Sequence, residues 1–224
     1  DHGLSIPVPT VVHSATSTKD LPLEEASWSV RLESECDLLD GITYRSFTAF
    51  GLYIFRSSGL YLAIRCGPLG RSGIGGHSHN DQLSMEVVID GKDVLRDPGT
   101  FLYTAWPEER NRYRSDLAHN AFYAPDGAES SGFEEGLFAL VGDPAAQCLE
   151  FSERTFKGAH HGFGGWVVSR QVQILTGAVV IRDAVHRLGC RGEGPRPRSL
   201  LEKRLREPYV PYSAGYGAIE GAPS

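Results

Sequence analysis

Apolar and polar residues alternate over short stretches of this sequence, and turn-forming residues separate the stretches. Three pairs of stretches predict β-hairpins, with turns at Ser57-Ser58-Gly59, Asp90-Gly91 and Thr176-Gly177. The first hairpin joins residues 47–56 to residues 60–66. Further strands are predicted at residues 83–89, 92–96, 120–124, 137–141, 148–156, 166–175 and 178–186. About ten or more antiparallel strands joined by tight turns predict an all-β fold, a large antiparallel β-sandwich.

The same pattern divides the chain into three parts. Residues 1–44 are predicted to be a lead-in and edge strand, because the chain is polar and proline-containing at its start. Residues 45–190 carry the strand pattern and form the predicted sandwich core. Residues 191–224 turn basic and rich in proline and glycine, which predicts an irregular C-terminal tail.

Composition excludes some classes of protein. The 224 residues are 41% hydrophobic, enough for a sizeable core, and no apolar run is long enough to span a membrane. The net charge of −6 argues against nucleic acid as a partner, since nucleic acids attract basic surfaces. The chain begins with Asp1 and has no signal-peptide pattern, which predicts that an upstream segment was removed or left out.

The four cysteines are Cys36, Cys66, Cys148 and Cys190, far apart in sequence and without a CxxC pair. A cysteine zinc site or a thioredoxin motif is therefore not expected. Two disulfides and four buried free thiols remain as alternatives, so cysteine usage leaves the cellular compartment open.

The stretch GIGGHSHNDQLSMEV, residues 73–87, combines a glycine-rich loop with two histidines and a carboxylate at alternate positions. In an extended chain His77, His79 and Asp81 share one face. Three such ligands with one open position are typical of catalytic zinc. The alternative is that both histidines are ordinary surface residues of a flexible loop.

Two more positions can reach the same place. Asp97 follows the hairpin of residues 83–96, and a hairpin that folds back returns Asp97 close to His79. His119 precedes another predicted strand and can reach the same strand ends. The alternatives are a turn-forming aspartate before proline and a half-buried strand histidine.

A third candidate is the segment Arg110-Asn111-Arg112-Tyr113-Arg114-Ser115. Guanidinium groups suit carboxylates and sulfates, and Trp106 and Tyr113 can stack on sugar rings. Arg110, Arg112, Arg114 and Tyr113 are therefore predicted to bind an acidic substrate. The alternative is a solvated, charged edge strand.

Taken together, these motifs resemble the heparinase II/III-like polysaccharide lyases over roughly residues 45–190. The order and spacing of the motifs carry the resemblance, and no single motif is specific. The matching segments are Gly67-Pro68-Leu69-Gly70, residues 76–84, Asp97-Pro98-Gly99-Thr100, Arg114-Ser115, Ala118-His119-Asn120, Arg170 and Val180-Ile181-Arg182-Asp183.

The resemblance implies a helical toroid followed by a β-sandwich, of which this chain resembles only the sandwich. It also implies one zinc ion, held here by His79, Asp97 and His119, with His77 facing the substrate. Asp81 then becomes an orienting residue rather than a ligand. The tyrosine acid or base of the family lies on the toroid and has no match here. Where many relatives have tyrosine this chain has Phe101, and an extended chain would turn the nearby Tyr103 to the opposite face.

The activity implied is cleavage of a uronic-acid-containing polysaccharide by β-elimination, with the isolated sandwich inactive without its toroid. The partners implied are an acidic polysaccharide and the helical domain of the same protein. Relatives often work in the periplasm, so a periplasmic or secreted location is favoured and a cytoplasmic one stays open.

Two other functions remain as alternatives. HxHxD also occurs in zinc hydrolases of the metallo-β-lactamase type, but Gln82 stands where their next histidine belongs. The second alternative is a zinc-containing carbohydrate-binding or structural module without catalysis. The sequence immediately upstream of Asp1 would distinguish a lyase from a module.

Overall fold

The computed structural model describes residues 24–70, 76–133, 136–188, 194–207, 209–213 and 217–220. Most of the predicted lead-in, the glycine loop at residues 71–75 and Cys190 lie outside the described residues. No helix in the described ranges is long and apolar enough to cross a membrane. Cys36, Cys66 and Cys148 are free thiols, which contradicts the alternative of two disulfides. Only Cys66 is buried and Cys36 is exposed, so the alternative of buried free thiols is confirmed only for Cys66.

The described residues form twelve β-strands and two α-helices. The strands are β1 Glu24–Glu33, β2 Thr43–Phe47, β3 Leu52–Arg56, β4 Leu60–Arg65, β5 Met85–Ile89, β6 Lys92–Leu95, β7 Phe122–Tyr123, β8 Gln147–Phe151, β9 Thr155–Phe163, β10 Trp166–Leu175, β11 Ala178–Arg187 and β12 Arg198–Ser199. The helices are α1 Pro107–Arg114 and α2 Leu201–Arg206, and a short 3-10 helix spans Asp116–Ala118.

Two five-stranded antiparallel sheets make up most of the molecule. The first sheet has the order β1-β11-β10-β9-β8 and the second has the order β2-β3-β4-β5-β6, while β7 and β12 pair separately. Buried side chains from both sheets join one hydrophobic cluster, with Phe55, Leu62 and Val87 from one sheet and Phe156 and Ile181 from the other. The predicted all-β antiparallel sandwich is confirmed.

The three predicted hairpins are confirmed, since β3 pairs with β4, β5 with β6 and β10 with β11. At the turn between β5 and β6, Asp90 and Gly91 have φ angles of +52° and +73°, as the tightest hairpin turns require. The Asp90 carboxylate also accepts hydrogen bonds from the Ser34 hydroxyl at 2.8 Å and the Glu35 N–H at 2.9 Å. This turn therefore ties the second sheet to the chain that follows β1.

Residues 47–56 do not form the single strand that their apolar character predicts. A turn at residues 48–51 separates β2 from β3, and Gly51 has a φ of +70°. A Cβ atom at Gly51 would lie 2.7 Å from the Cα of Gly67, so the segment that follows β4 leaves no room for a side chain there. Glycine is therefore required by both the backbone angle and the close approach.

Several other predictions differ from the structure. Residues 137–141 form no strand beyond an isolated bridge between Gly132 and Val141, and residues 148–156 are split by the turn between β8 and β9. The range 191–224, predicted to be irregular, contains β12 and α2. Leu201 of α2 is buried in the main core, and this packing stabilises a helix too short to form alone.

Candidate functional site

The loop between β4 and β5 carries both predicted histidines and is firmly anchored at its C-terminal end. The Gln82 amide donates to the carbonyl of Gly67 at 2.8 Å and accepts from its N–H at 3.1 Å. Leu83 is buried with a φ of +66°, a rare backbone angle outside glycine. Strand β5 begins at Met85, two residues after the predicted start at Leu83, and residues 77–81 lie in a turn and loop rather than in the extended stretch that would put His77, His79 and Asp81 on one face.

The three side chains implied as zinc ligands lie next to one another. His119 is buried, and its Nδ1 lies 2.8 Å from Oδ2 of Asp97. The ring centroids of His79 and His119 are 5.4 Å apart. The second carboxylate oxygen of Asp97 accepts the N–H of Gly99 at 2.9 Å, which fixes the carboxylate in the turn after β6. Folding of the hairpin back on itself thus returns Asp97 to the two histidines.

The two histidines have opposite electrostatic environments. Burial, reinforced by the neighbouring His119, lowers the pKa of His79 to about 3, so its imidazole is neutral. Burial also opposes charge on His119, but the adjacent Asp97 outweighs it and raises the pKa of the His119 imidazole. The cluster thus holds one neutral ring beside a histidine and carboxylate pair.

The fit of these residues to a metal ion is mixed. Imidazole nitrogen and carboxylate oxygen are the donors that zinc prefers. Nε2 of His119 is buried and has no hydrogen-bond partner in the described structure, so this nitrogen is available as a metal ligand. In the part of the chain that the structure describes, however, no three His, Cys, Asp or Glu side chains converge at metal-binding distances.

Alternate spacing suggested a site made of His77, His79 and Asp81, but Asp81 does not join the two histidines in the structure. Its carboxylate lies 3.7 Å from Nε of Arg65, a long ion pair at the base of the loop. Burial raises the pKa of the Asp81 carboxyl. This contact ties the loop to Arg65 at the end of β4.

His77 is exposed and surrounded by aromatic rings. Its imidazole meets Tyr103 edge-on at 5.5 Å between centroids and Phe138 at 6.0 Å. Phe101 has a φ of +56°, is buried and stacks on Tyr113 at 5.1 Å. The chain therefore turns sharply at Phe101 and places Tyr103 beside His77, whereas an extended chain would have turned Tyr103 away.

The predicted substrate-binding arginines are arranged by a helix, not by a strand. Helical spacing places Arg110, Tyr113 and Arg114 on the buried side of α1 and leaves Arg112 exposed. The Tyr113 hydroxyl donates to the carbonyl of Pro211 at 2.8 Å, and Arg112 pairs with Glu109 at 3.3 Å. Alternation along an extended strand would have put all three arginines on one face.

Arg110 and Arg114 bind the loops of the site from beneath. Arg110 donates to the carbonyls of Leu137 at 2.8 Å and Gly76 at 3.4 Å. Arg114 donates to Leu137 at 2.7 Å and Ala139 at 2.6 Å. Burial, with a smaller effect from Arg110, lowers the pKa of Arg114 to about 10. In this structure the two guanidinium groups hold backbone and do not face solvent.

A groove of about 830 Å³ opens beside the loop and runs along the outer face of the second sheet. Its lining includes His77, Asp81, Asp97, Arg65, Tyr61 and Glu86. A surface cleft of this size accommodates a small ligand or part of a polymer.

Sequence reasoning named Asn120 and Arg170 only as parts of matching motifs and gave no role to these two residues, which fix the cluster from behind. Asn120, next to His119, bonds both the N–H of Met85 at 2.9 Å and its carbonyl at 2.7 Å. Arg170 of β10 donates to the carbonyls of Leu83 at 2.6 Å and Asn120 at 2.8 Å. A lone arginine in an apolar strand pattern was the available signal for this role. Phe138 was missed because nothing in its local pattern marks it.

Two face-to-face antiparallel sheets with a histidine-bearing loop at one groove define a β-sandwich domain with a polar surface site. Residues 41–191 match the family "Heparinase II/III-like, C-terminal". The chain belongs to this family, whose name describes a C-terminal domain.

Three solved structures that are similar to this chain are described as heparinases or a heparan sulfate lyase. A heparinase III, the BT4657 gene product, aligns with a TM-score of 0.50 and 19% identity over 64% of this chain and 22% of its own. A further heparinase III aligns with a TM-score of 0.50 and 13% identity over 66% of this chain and 23% of its own. The heparan sulfate lyase HepC from Pedobacter heparinus aligns at 0.46 with 18% identity, over 63% of this chain and 22% of its own. No curated protein matches the sequence. The chain thus spans less than a quarter of the length of these heparinases.

Proposed function

We propose that this chain is the β-sandwich portion of a polysaccharide lyase that cleaves a uronic-acid-containing polysaccharide by β-elimination. The observation that carries the proposal is the position of His77, exposed at the groove with the His79, Asp97 and His119 cluster behind it. Membership of the heparinase-like family supports the same conclusion. The helical domain that would complete the cleft is part of the proposal.

The chemistry explains why such residue types would be needed. β-Elimination removes the proton from the carbon next to the uronate carboxylate and expels the linked sugar oxygen. Negative charge develops on the carboxylate side of the transition state, so hydrogen-bond donors and positive groups stabilise it. His77 is placed to exchange a proton with substrate or to donate to that developing charge. The acid or base that completes the reaction lies on the helical domain in this proposal.

We also propose that His79, Asp97 and His119 hold a zinc ion. The unpartnered Nε2 of His119 and the neutral imidazole of His79 support this assignment. Zinc would fix the wall of the cleft, since β-elimination needs no activated water. The side chains themselves would then position the His77 loop against the turn after β6.

The zinc proposal predicts metal loss in three variants. Replacing His79, Asp97 or His119 with alanine should release the metal and lower the melting temperature, because metal binding is linked to folding. Elemental analysis of the purified chain with a thermal melt measures both effects.

His77→Ala is the matched control and should retain its zinc. Zinc loss in that variant would mean that the two histidines of the motif have exchanged roles. A well-folded native chain without metal would overturn the zinc assignment and leave the lyase proposal untouched.

The lyase proposal predicts different behaviour for the isolated chain and the chain joined to its helical domain. The isolated chain should produce no unsaturated uronate from heparan sulfate or alginate, because the groove lacks the second catalytic group. The joined protein should produce it, as measured by the ultraviolet absorbance of the new double bond.

Activity of the isolated chain would show that the helical domain is dispensable. Reducing-end release without unsaturation would indicate a hydrolase. Saccharide binding without cleavage by the joined protein would favour the non-catalytic module.

A further inference from the structure

An exposed aromatic pair lies next to His77 and has no role in the site as described so far. Tyr103 is 41% exposed and Phe138 is 43% exposed, and their rings are nearly parallel, 9° apart in orientation and 6.4 Å between centroids. Single exposed aromatic rings are common at protein surfaces, but a contiguous exposed aromatic surface is typical of binding sites. This pair keeps much of its surface open beside the groove.

Arg110 fixes the pair from below. Its guanidinium carbon lies 5.0 Å from the Tyr103 ring centroid and 4.8 Å from that of Phe138. The Arg110 guanidinium also donates to the backbone carbonyls of Leu102 and Leu137, the residues immediately before the two aromatic rings. The rings are therefore held in place before any ligand arrives, which reduces the entropy lost on binding.

The second feature of this surface is the charge of Arg110 and Arg114 beneath the pair. Within the described residues, every hydrogen bond from Arg110 and Arg114 goes to a neutral oxygen, and neither guanidinium has a carboxylate partner. Buried charges in proteins are normally paired. Among the described residues these are two neighbouring buried cations without a paired carboxylate, an arrangement that favours a positive potential at the surface above them.

We propose that Tyr103 and Phe138, supported by the charges of Arg110 and Arg114, form a subsite for an anionic sugar residue. The exposed ring surfaces contact the apolar C–H face of the sugar, and the two cations attract its carboxylate through the intervening loops. Arg110 and Arg114 act here as positioning residues, since they do not touch the ligand. The proposal rests on the proposed function for the ligand being a polysaccharide.

The ligand class can be tested with the chain itself. An unsulfated glucuronate-containing oligosaccharide and its carboxyl-reduced, neutral counterpart serve as probes, and calorimetry gives each Kd. The acidic probe should bind about tenfold tighter or more at low salt, and only its binding should weaken as salt screens the field. Equal binding of the two probes, or no binding of the acidic probe, would overturn the proposal.

The aromatic contribution is tested by truncation. Tyr103→Ala and Phe138→Ala should each weaken binding of the acidic probe by about fivefold to tenfold, while Tyr103→Phe should keep most of the affinity. Phe47→Ala is the matched control, a phenylalanine 49% exposed on the edge strand β2. Unchanged affinity in both alanine variants, or an equal loss in the control, would overturn the subsite.

The charge contribution is read from a ratio. Arg110→Met should abolish most of the preference for the acidic over the neutral probe, whereas Arg110→Lys should keep it even if both variants are less stable. If Arg110→Met keeps the full preference for the acidic probe, the arginine charge does not attract the ligand carboxylate. If neither variant folds, the salt dependence of binding to the native chain tests this attraction instead. Lyase activity of the joined protein tests the proposed function separately, so the two can fail independently.

Discussion

Replacing Arg170 with methionine is expected to lower the free energy of unfolding by about 3–5 kcal/mol, because it leaves a buried carboxylate without its cation. Nε and Nη2 of Arg170 each donate to the Asp183 carboxylate at 2.7 Å, and both side chains are fully buried. The variant also strands the carbonyls of Leu83 and Asn120. In a chain of this length the melting temperature should fall by about 6–20 °C, as measured by calorimetry.

Two further variants show whether the loss comes from the unpaired charge. Arg206→Met removes an exposed arginine that pairs with Glu202 at 2.8 Å, and stability should change by no more than about 0.5 kcal/mol. The double variant Arg170→Met/Asp183→Leu should be more stable than Arg170→Met, because no buried charge remains. A melt of Arg170→Met that matches the native chain would contradict the anchoring role.

Replacing His77 with glutamine in the protein that joins this chain to its helical domain is expected to lower kcat by about 10²–10⁴-fold. Glutamine can still form a hydrogen bond but cannot exchange a proton near neutral pH. The exposed position of His77 means that folding should not suffer. Initial rates of unsaturated uronate formation with a parallel thermal melt measure the effect.

His161→Gln provides the matched control, since His161 is an exposed histidine on β9 of the other sheet. Its kcat and melting temperature should equal those of the native protein. A rise in KM with unchanged kcat in His77→Gln would assign His77 to substrate binding rather than proton transfer. Equal activity of His77→Gln and the native protein would remove His77 from the mechanism.

The sheet architecture was predictable because its signals are local. The turn Asp90-Gly91 and the alternation of β10 and β11 determine their hairpins within a few residues. The division between β2 and β3 was not predictable, since it depends on the close approach of Gly51 to Gly67 from a distant part of the chain. Burial of Leu201 likewise forms α2 through a contact that local pattern does not encode.

The part of the site that depends on the β5–β6 hairpin was predictable from the sequence. The return of Asp97 toward His79 follows once β5 and β6 pair, because the hairpin places its two ends side by side. His119 reaches Asp97 through contacts outside the hairpin, in which Asn120 bonds the backbone of Met85. The helix around Arg110 was not predicted, since the sequence offered only a charged edge strand as the alternative to a substrate-binding segment. Helical spacing buries Arg110 and Arg114 and leaves Arg112 exposed. The position of Tyr103 depends on the positive φ of Phe101, an angle that a phenylalanine gives no reason to expect.

Strand β1 shows that the folded domain extends beyond the residues that match the family. The family match covers residues 41–191. Strand β1 lies before that range, yet it pairs with β11 and buries Val30 and Leu32 in the core. After the range, the Ser199 hydroxyl donates to the carboxylate of Asp183. A truncated form cut at the match would present the bare edge of β11 to other molecules, and such edges promote aggregation. Recombinant versions of this domain should therefore retain residues 24–220, since Val210 and Pro211 also pack against Tyr113.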